Sequence, residues 1–218
     1  RVTVGRIDGS LYGAAVLRDV RVRDPEGLVF AAPRAELDWR PFAWLSNRLD
    51  IRSLHIPVAI LAKLPRPRPT GRNTPLLPDF DILIGDLSVD RLTVAPRVTG
   101  VLRSGRLKGI ADIRDGRAMV AIDALVQGSD ALRLRIDAAP DRDRFDIDVR
   151  ARGAASGVLA RLTGIRRPLT MDVSGEGRWA AWQGQARASA GGVPVIDLAL
   201  GNRAGAYTLT GAVTPAIW

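Results

Sequence analysis

Apolar and polar residues alternate along most of this chain with a two-residue period, the mark of strands that bury one face and wet the other. Ala35, Leu37 and Trp39 alternate with Arg34, Glu36, Asp38 and Arg40. Leu132, Leu134, Ile136 and Ala138 alternate with Arg133, Arg135 and Asp137, and Phe145, Ile147, Val149 and Ala151 with Asp146, Asp148 and Arg150. Strand patterns also fill AAVLRDVRVRD, DILIGDLSVDRLTVA, RLKGIADIRDGRAMVAIDALV, LTMDVSGEG, RWAAWQGQARASA, VPVIDLALG and AYTLTGAV. The expected fold is mostly β.

Two parity slips interrupt the alternation. Leu17 falls on one parity and Val20 and Val22 on the other, which predicts a bulge near Arg18-Asp19. A second slip lies between Ile51 and Leu54, after which Ile56, Val58 and Ile60 continue the new parity. Asp24-Pro25-Glu26-Gly27 has turn chemistry, and Asp115-Gly116 between alternating runs predicts a hairpin. The hairpin around Pro140 allows two registers. A two-residue Pro140-Asp141 loop sets Arg135 opposite Asp146 and Arg133 opposite Asp148. Proline cannot take the positive φ of a type I′ turn, so turn chemistry favours a four-residue loop with poorer charge pairing.

Two short helices are expected. Pro41 suits a first helical turn, so PFAWLSN, near 41–47, reads as a small plug with Phe42 and Leu45 on one face. Ala155, Val158, Leu159 and Leu162 form a helical stripe near 154–163, with Gly164 as its stop. Residues 65–79, PRPRPTGRNTPLLPD, hold five prolines and no periodicity, and read as an exposed connection. The chain thus divides into a β segment over 1–64, this connection, and a continuing β segment over 80–218.

Composition narrows the chemistry. The 218 residues are 46% hydrophobic, enough for a substantial apolar interior. No run of 18 apolar residues and no signal peptide is present. The chain opens on Arg1 and closes on Trp218, and is expected to be part of a longer protein. Without cysteine there are no disulfides or thiolate metal sites. The net charge of +9 is almost wholly arginine, Lys63 and Lys108 being the only lysines. These arginines alternate singly with aspartates, as on a solvated strand face, instead of forming a nucleic-acid patch. His55 is the only histidine and reads as a structural or surface residue. The pairs Asp79/Asp81, Asp141/Asp143 and Asp146/Asp148 lack calcium-loop spacing, and no dinucleotide, P-loop or nucleophile-elbow motif occurs. Aromatics total 5% and match no RNA-binding sheet. The expectation is a protein that is not an enzyme and carries no cofactor or metal.

The run GSLYGAAVLRDVRVRDPEGLVFAAPRAELDWRPFAWLSNRLDIRSLHI resembles the TamB family, the periplasmic subunit of the translocation and assembly module, within the AsmA-like superfamily of bridge-like lipid-transfer proteins. The matching pieces are Gly9-Ser10-Leu11, Gly13, Asp19-Val20-Arg21-Val22, Asp24, Gly27, Leu37-Asp38-Trp39-Arg40-Pro41, Leu45, Leu49-Asp50-Ile51 and Leu54. GRWAAWQG, with Trp179 and Trp182, is similar to the family as well. The resemblance implies an elongated, curled, antiparallel meander sheet forming an open apolar groove. It implies a periplasmic location in a Gram-negative bacterium and a parent chain anchored in the inner membrane. The implied partners are phospholipid acyl chains and an outer-membrane barrel of the TamA type, the latter met through the parent chain. The implied roles are phospholipid transport between the membranes and support of outer-membrane protein assembly.

The groove-lining residues expected on this reading are Val120, Ile122, Leu132, Leu134, Ile136, Phe145, Ile147, Val149 and Leu209. Alternation alone is equally compatible with a closed β-sandwich or barrel whose apolar faces meet. A third reading is an interaction or chaperone module that receives nascent barrel strands at an open edge without conducting lipid.

Overall fold

A computed structural model of the chain describes residues 1–10, 12–64, 77–127 and 130–214, without the side chains of Thr99 and Leu162. The described residues are mostly β. They fall into two compact units, 1–115 and 116–218.

In the first unit β1 (Val2–Thr3) and β2 (Arg6–Gly9) both pair with β3 (Ala14–Asp24). From β3 the ladder continues through β4 (Gly27–Trp39), β5 (Arg48–Leu61), β6 (Asp81–Val94) and β7 (Arg103–Arg114). One pair departs from the antiparallel meander: β5 and β6 run parallel, with Ile51 opposite Ile84 and Ile56 opposite Val89. A parallel pair needs a connection long enough to return along the strand. β5 has 14 residues, so the chain between Leu61 and Asp81 must come back about 46 Å, at about 3.3 Å per residue. Most of the expected loop over 65–79 lies outside the described residues. The residues after it join the first unit through β6 and β7, so the units divide at Asp115-Gly116 and not at the prolines.

The first slip is found, but not as a lone bulge. Asp19 has φ 53°, and the register on either side, Arg18 opposite Arg34 and Val20 opposite Ala32, keeps step. Pro33 lies in the facing strand there, where it has no N–H to give the ladder. Leu17, Ala35, Ile56 and Val89 pack in one cluster with Val20, Ala32, Ala59 and Leu92. Each of the four strands therefore slips by one residue in the same band.

That band corrects the reading of β5. The parity set by Ile56 does not run on through Val58 and Ile60. Ala59 is 0% exposed, while Val58 and Ile60 are 39% and 44% exposed. A second slip, at Pro57-Val58, is invisible to simple alternation because both faces there carry apolar residues. The slip between Ile51 and Leu54 is real: the β4–β5 register shifts at Trp39, and Gly85 of β6 sits so close that a Cβ would lie 2.9 Å from the Arg52 carbonyl oxygen.

In the second unit the strands follow in chain order, each antiparallel to the next: β8 (Arg117–Val126), β9 (Asp130–Ala139), β10 (Arg144–Gly153), β11 (Leu169–Glu176), β12 (Ala181–Ala190), β13 (Val193–Arg203) and β14 (Ala206–Val213). The order is an open path. Asp115 and Gly116 take φ 51° and 69°, the positive values that a type I′ turn requires at both central positions. The Pro140 hairpin adopts the four-residue loop, with Arg144 opposite Ala139 and Asp143 at φ 56°. Turn stereochemistry thus overrides charge pairing, leaving Asp146 opposite Asp137 and Arg150 opposite Arg133.

The helical elements are short. Pro41–Ser46 is a 3-10 turn with no buried residue, so it is not the plug expected from its sequence. Two further short elements were not anticipated: α1 (Pro96–Thr99), and a 3-10 turn at Pro140–Arg142. α2 spans Val158–Thr163, beginning later than the expected 154. Its Gly157 boundary is fixed by Asp130 of β9, a buried carboxylate that accepts hydrogen bonds from the Ala154 and Val158 amides. A Cβ at Gly157 would lie 2.1 Å from that carboxylate, so only glycine fits.

Candidate functional site

The feature of the second unit that suits binding is one face of its sheet. Directly opposed residues point to the same side of a sheet. The register therefore traces rows across it. Val120 faces Ile136, Ile136 faces Ile147, and the row continues through Gly175, Gly184 and Leu200 to Leu209. The next row holds Ile122, Leu134, Val149, Val173, Ala186 and Leu198. A third holds Ala124, Leu132, Ala151, Met171, Ala188, Ile196 and Val213. All nine sequence-expected residues stand on this face, eight of them on the adjoining β8, β9 and β10, and Leu209 at the far strand. Alternation in β11 to β13 also carried the signal for Met171, Val173, Leu198 and Leu200.

This face is not a filled interior. Val120, Ile122, Leu134, Ile136, Ile147 and Val149 are all half-buried, and Leu132 and Leu209 are exposed. Among the described residues of this unit, a second layer covers one end. There Leu159 of α2 and the following Ile165 pack with Leu169, Ala188, Ala190, Val195 and Ile196. The expected stripe on this helix included Ala155, which is exposed, and omitted Ala160, which is buried.

The opposite end of the same face carries aromatics. Phe145 lies edge-on to Trp179 with centroids 5.6 Å apart, and Trp182 joins both at about 6 Å. Trp182 donates its indole N–H to the Phe145 carbonyl at 2.8 Å. Its ring lies over Gly175 and Gly184, where a Cβ would come within 1.9 and 2.4 Å of ring carbons. Buried Asn202 donates to the Trp179 carbonyl at 2.7 Å and accepts from the Gly205 amide at 3.0 Å, fixing the turn beside the cluster.

The other face is a charge lattice. Arg117 makes a two-pronged contact with Asp137 at 2.7 and 2.5 Å, which holds the Asp137 carboxyl below its usual range. Arg133 donates to Asp123 at 2.8 Å and lowers that carboxyl likewise. Asp146 is lowered by the Gly177 amide, then by Arg144. These contacts, diagonal for Arg117–Asp137, directly opposed for Arg133–Asp123 and along one strand for Arg144–Asp146, relieve the like charges that the Pro140 register sets face to face.

The first unit has the same division of faces, with a tighter apolar side built on Ala32, Ala35 and Ala59. On its polar face His55 is not isolated. Its Nε2 lies 2.7 Å from Asp90 and its Nδ1 3.4 Å from Glu36, and Asp90 foremost, then Glu36, raises the imidazole pKa. Among the described residues no group of three or more histidine or acidic side chains is placed to hold a metal ion. None of the helices there is long and apolar enough to cross a membrane.

No family model, curated protein or solved structure matches the chain.

Proposed function

We propose that the chain is a TamB-like periplasmic module whose one-sided sheet holds phospholipid acyl chains on their way between the inner and outer membranes. The observation that carries this is the half-open apolar face of the second unit, continuous over its strands, whose one carboxylate, Asp130, is buried at the end that α2 covers and is bonded to the Ala154 and Val158 amides. Acyl chains bind such a face by burial alone, at about 25 cal/mol per Å² of apolar area removed from water. The polar side chains on the face, Asp130 and Asn202, are buried and already bonded, so a chain can slide from row to row at little cost. The charge lattice on the other side keeps the sheet in water. The resemblance at Gly9-Ser10, Asp19-Val20-Arg21-Val22 and Leu37–Pro41 supports the TamB-like reading, in which the inner-membrane anchor and the barrel partner would belong to a parent chain. No catalysis is part of this reading.

Photo-crosslinkers test it directly. Placed at Leu134, Ile147 and Val149 they should capture phospholipid in Gram-negative cells, and at the outward Arg135 and Asp148 they should not. Equal capture on the two faces overturns the proposal.

One observation favours a second reading, an interaction module for outer-membrane protein assembly. β14 carries no charged residue, every residue in it is exposed, and among the described residues it pairs only with β13. Edges that avoid pairing usually carry charge or proline. Crosslinkers on β14 that trap protein while the face traps no lipid would favour this alternative.

A further inference from the structure

The 3-10 turn Pro41–Ser46 between β4 and β5 buries none of its residues, yet its sequence is largely apolar. Phe42, Trp44 and Leu45 are 68%, 56% and 85% exposed, and Tyr12 beside them is 77% exposed. Tyr12 stacks near Phe42 with centroids 6.1 Å apart, and Trp44 leans on Phe80 at 6.0 Å. Single exposed apolar residues are ordinary, but four large ones on one projection form a patch that needs a partner.

The projection is preformed. The Ala43 amide donates to the Arg40 carbonyl at 3.1 Å and the Asn47 amide to the Trp44 carbonyl at 3.0 Å. Asn47, in the left-handed conformation at φ 55°, ties the turn to the residues just before β6 by donating its side-chain amide to the Asp79 carbonyl at 2.8 Å. Pro41 has no N–H to satisfy. The Ala43 and Asn47 amides can therefore leave water with their bonds already made, as an apolar medium requires.

Charge is arranged to match. Arg40 precedes the turn and meets Asp50 at 3.0 Å, with side-chain exposures of 58% for the arginine and 7% for the aspartate. Arg48 follows it and meets Asp81 at 3.2 Å, again with the cation the more exposed partner. The first pair shows its guanidinium to solvent and keeps its carboxylate back, the second does so only slightly, and the chain's net charge is +9. A convex apolar tip, amphipathic tryptophan and tyrosine rings, and a cationic collar are the chemistry of the bilayer interface.

We infer that the turn at 41–46 is a membrane-docking wedge, which inserts Phe42, Trp44 and Leu45 into the interface of an anionic phospholipid bilayer. A protein partner or a second copy of this chain would fit the apolar tip less well, because neither accounts for the two outward arginines and the recessed Asp50. The inference stands apart from lipid occupancy of the second unit's face.

Flotation of the purified 218-residue chain with vesicles of equal phosphatidylethanolamine and phosphatidylglycerol tests it. The chain should float with the vesicles, and tryptophan emission should be quenched by brominated acyl chains. The quenched component should disappear in Trp44→Phe, and Phe42→Ser with Leu45→Ser should lower vesicle partition by about tenfold or more. These residues are exposed, so the variants should keep the parent's circular dichroism. Ile147→Asp should float like the parent, separating this wedge from the groove. Absence of flotation overturns the inference. So does flotation that salt abolishes and the double variant leaves unchanged, which would assign binding to the basic surface alone. Concentration-dependent dimerisation lost in the double variant, without vesicle binding, assigns the patch to a second copy and overturns it as well.

Discussion

An open face and a closed core respond differently to an inward charge, and Ile147→Asp exploits the difference. Ile147 is half-buried and sits between Ile136 on β9 and Gly175 on β11. Full burial of an isoleucine contributes about 1.5–3 kcal/mol, so the half realised here is about 1 kcal/mol. A carboxylate at this position keeps part of its hydration, which adds a partial desolvation cost of about 1 kcal/mol. The expected total is about 2 kcal/mol. Ala59→Asp in the first unit provides the closed-core reference, since Ala59 is 0% exposed among Ala32, Ile56 and Val89. An unpaired charge there costs about 3–5 kcal/mol or more, enough to unfold a marginal unit. Urea titrations followed by circular dichroism and tryptophan emission measure both variants. Ile147→Asp should shift the second unit's midpoint modestly and leave its slope unchanged, while Ala59→Asp should lose the first unit's transition. If Ile147→Asp abolishes folding as completely as Ala59→Asp, the face is a filled core and the acyl-chain reading fails.

Three further outcomes follow from named contacts. Asp130→Ala should destabilise the second unit by about 1–3 kcal/mol, because it strips the Ala154 and Val158 amides of their acceptor; hydrogen exchange should speed at those two amides first, and unchanged protection there would contradict the cap. Gly184→Ala should displace the Trp182 ring, since the new Cβ would also meet the Ser174 carbonyl oxygen at 2.8 Å; the check is near-ultraviolet circular dichroism, where an unchanged tryptophan signal would count against the packing described. His55 has a raised pKa, so its contribution to stability is complete below about pH 6.5 and is lost as pH rises through the raised value. Asp123, Asp137 and Asp146 are lowered, so theirs is present above about pH 4 and lost as pH falls through the depressed values. Thermal midpoints should therefore plateau between those limits, and His55→Gln should remove the alkaline decline; a decline that survives the substitution would assign it to other groups.

Faces were legible wherever one side of a strand was apolar and the other charged. β9 and β10 are such strands, and their alternation alone placed Leu134, Ile136, Ile147 and Val149 together. Legibility failed where both faces were apolar. Around Ile56-Pro57-Val58-Ala59 the pattern has no polar residue to mark the outward side, so the inward turn of Ala59 could only come from packing against β4 and β6. Long-range pairing was equally silent. Nothing in the alternation of β5 or β6 marks a parallel ladder, because strand direction is set by the path of the connection and not by the side chains. The Pro140 register required weighing turn stereochemistry against charge, and proline's fixed φ decided it. The carboxylate that starts α2 lies 28 residues away from Val158 in sequence, beyond any local capping pattern.

The composition of the apolar face explains how a binding surface can exist without a binding residue. Its members are chiefly Val, Ile, Leu and Ala, and the large rings are confined to one end, where Trp182 lies over Gly175 and Gly184. A flat aliphatic surface presents similar dispersion contacts at every row, so a bound chain gains little by stopping at any one of them. Rings and hydrogen-bonding groups scattered through the rows would create local minima and slow passage. The same reasoning explains the segregation of charge, from which Asp130, sealed beneath the start of α2, is the exception. A single arginine turned inward would both anchor a phosphate and interrupt the apolar track, whereas on the outer face it is held by aspartates such as Asp123 and Asp137. Activity distributed in this way should fall gradually under apolar-to-apolar substitutions at Leu134 or Val149 and steeply under charge insertion at the same positions. Equal losses from Leu134→Ala and Leu134→Asp, in variants that fold equally well, would instead indicate a discrete site.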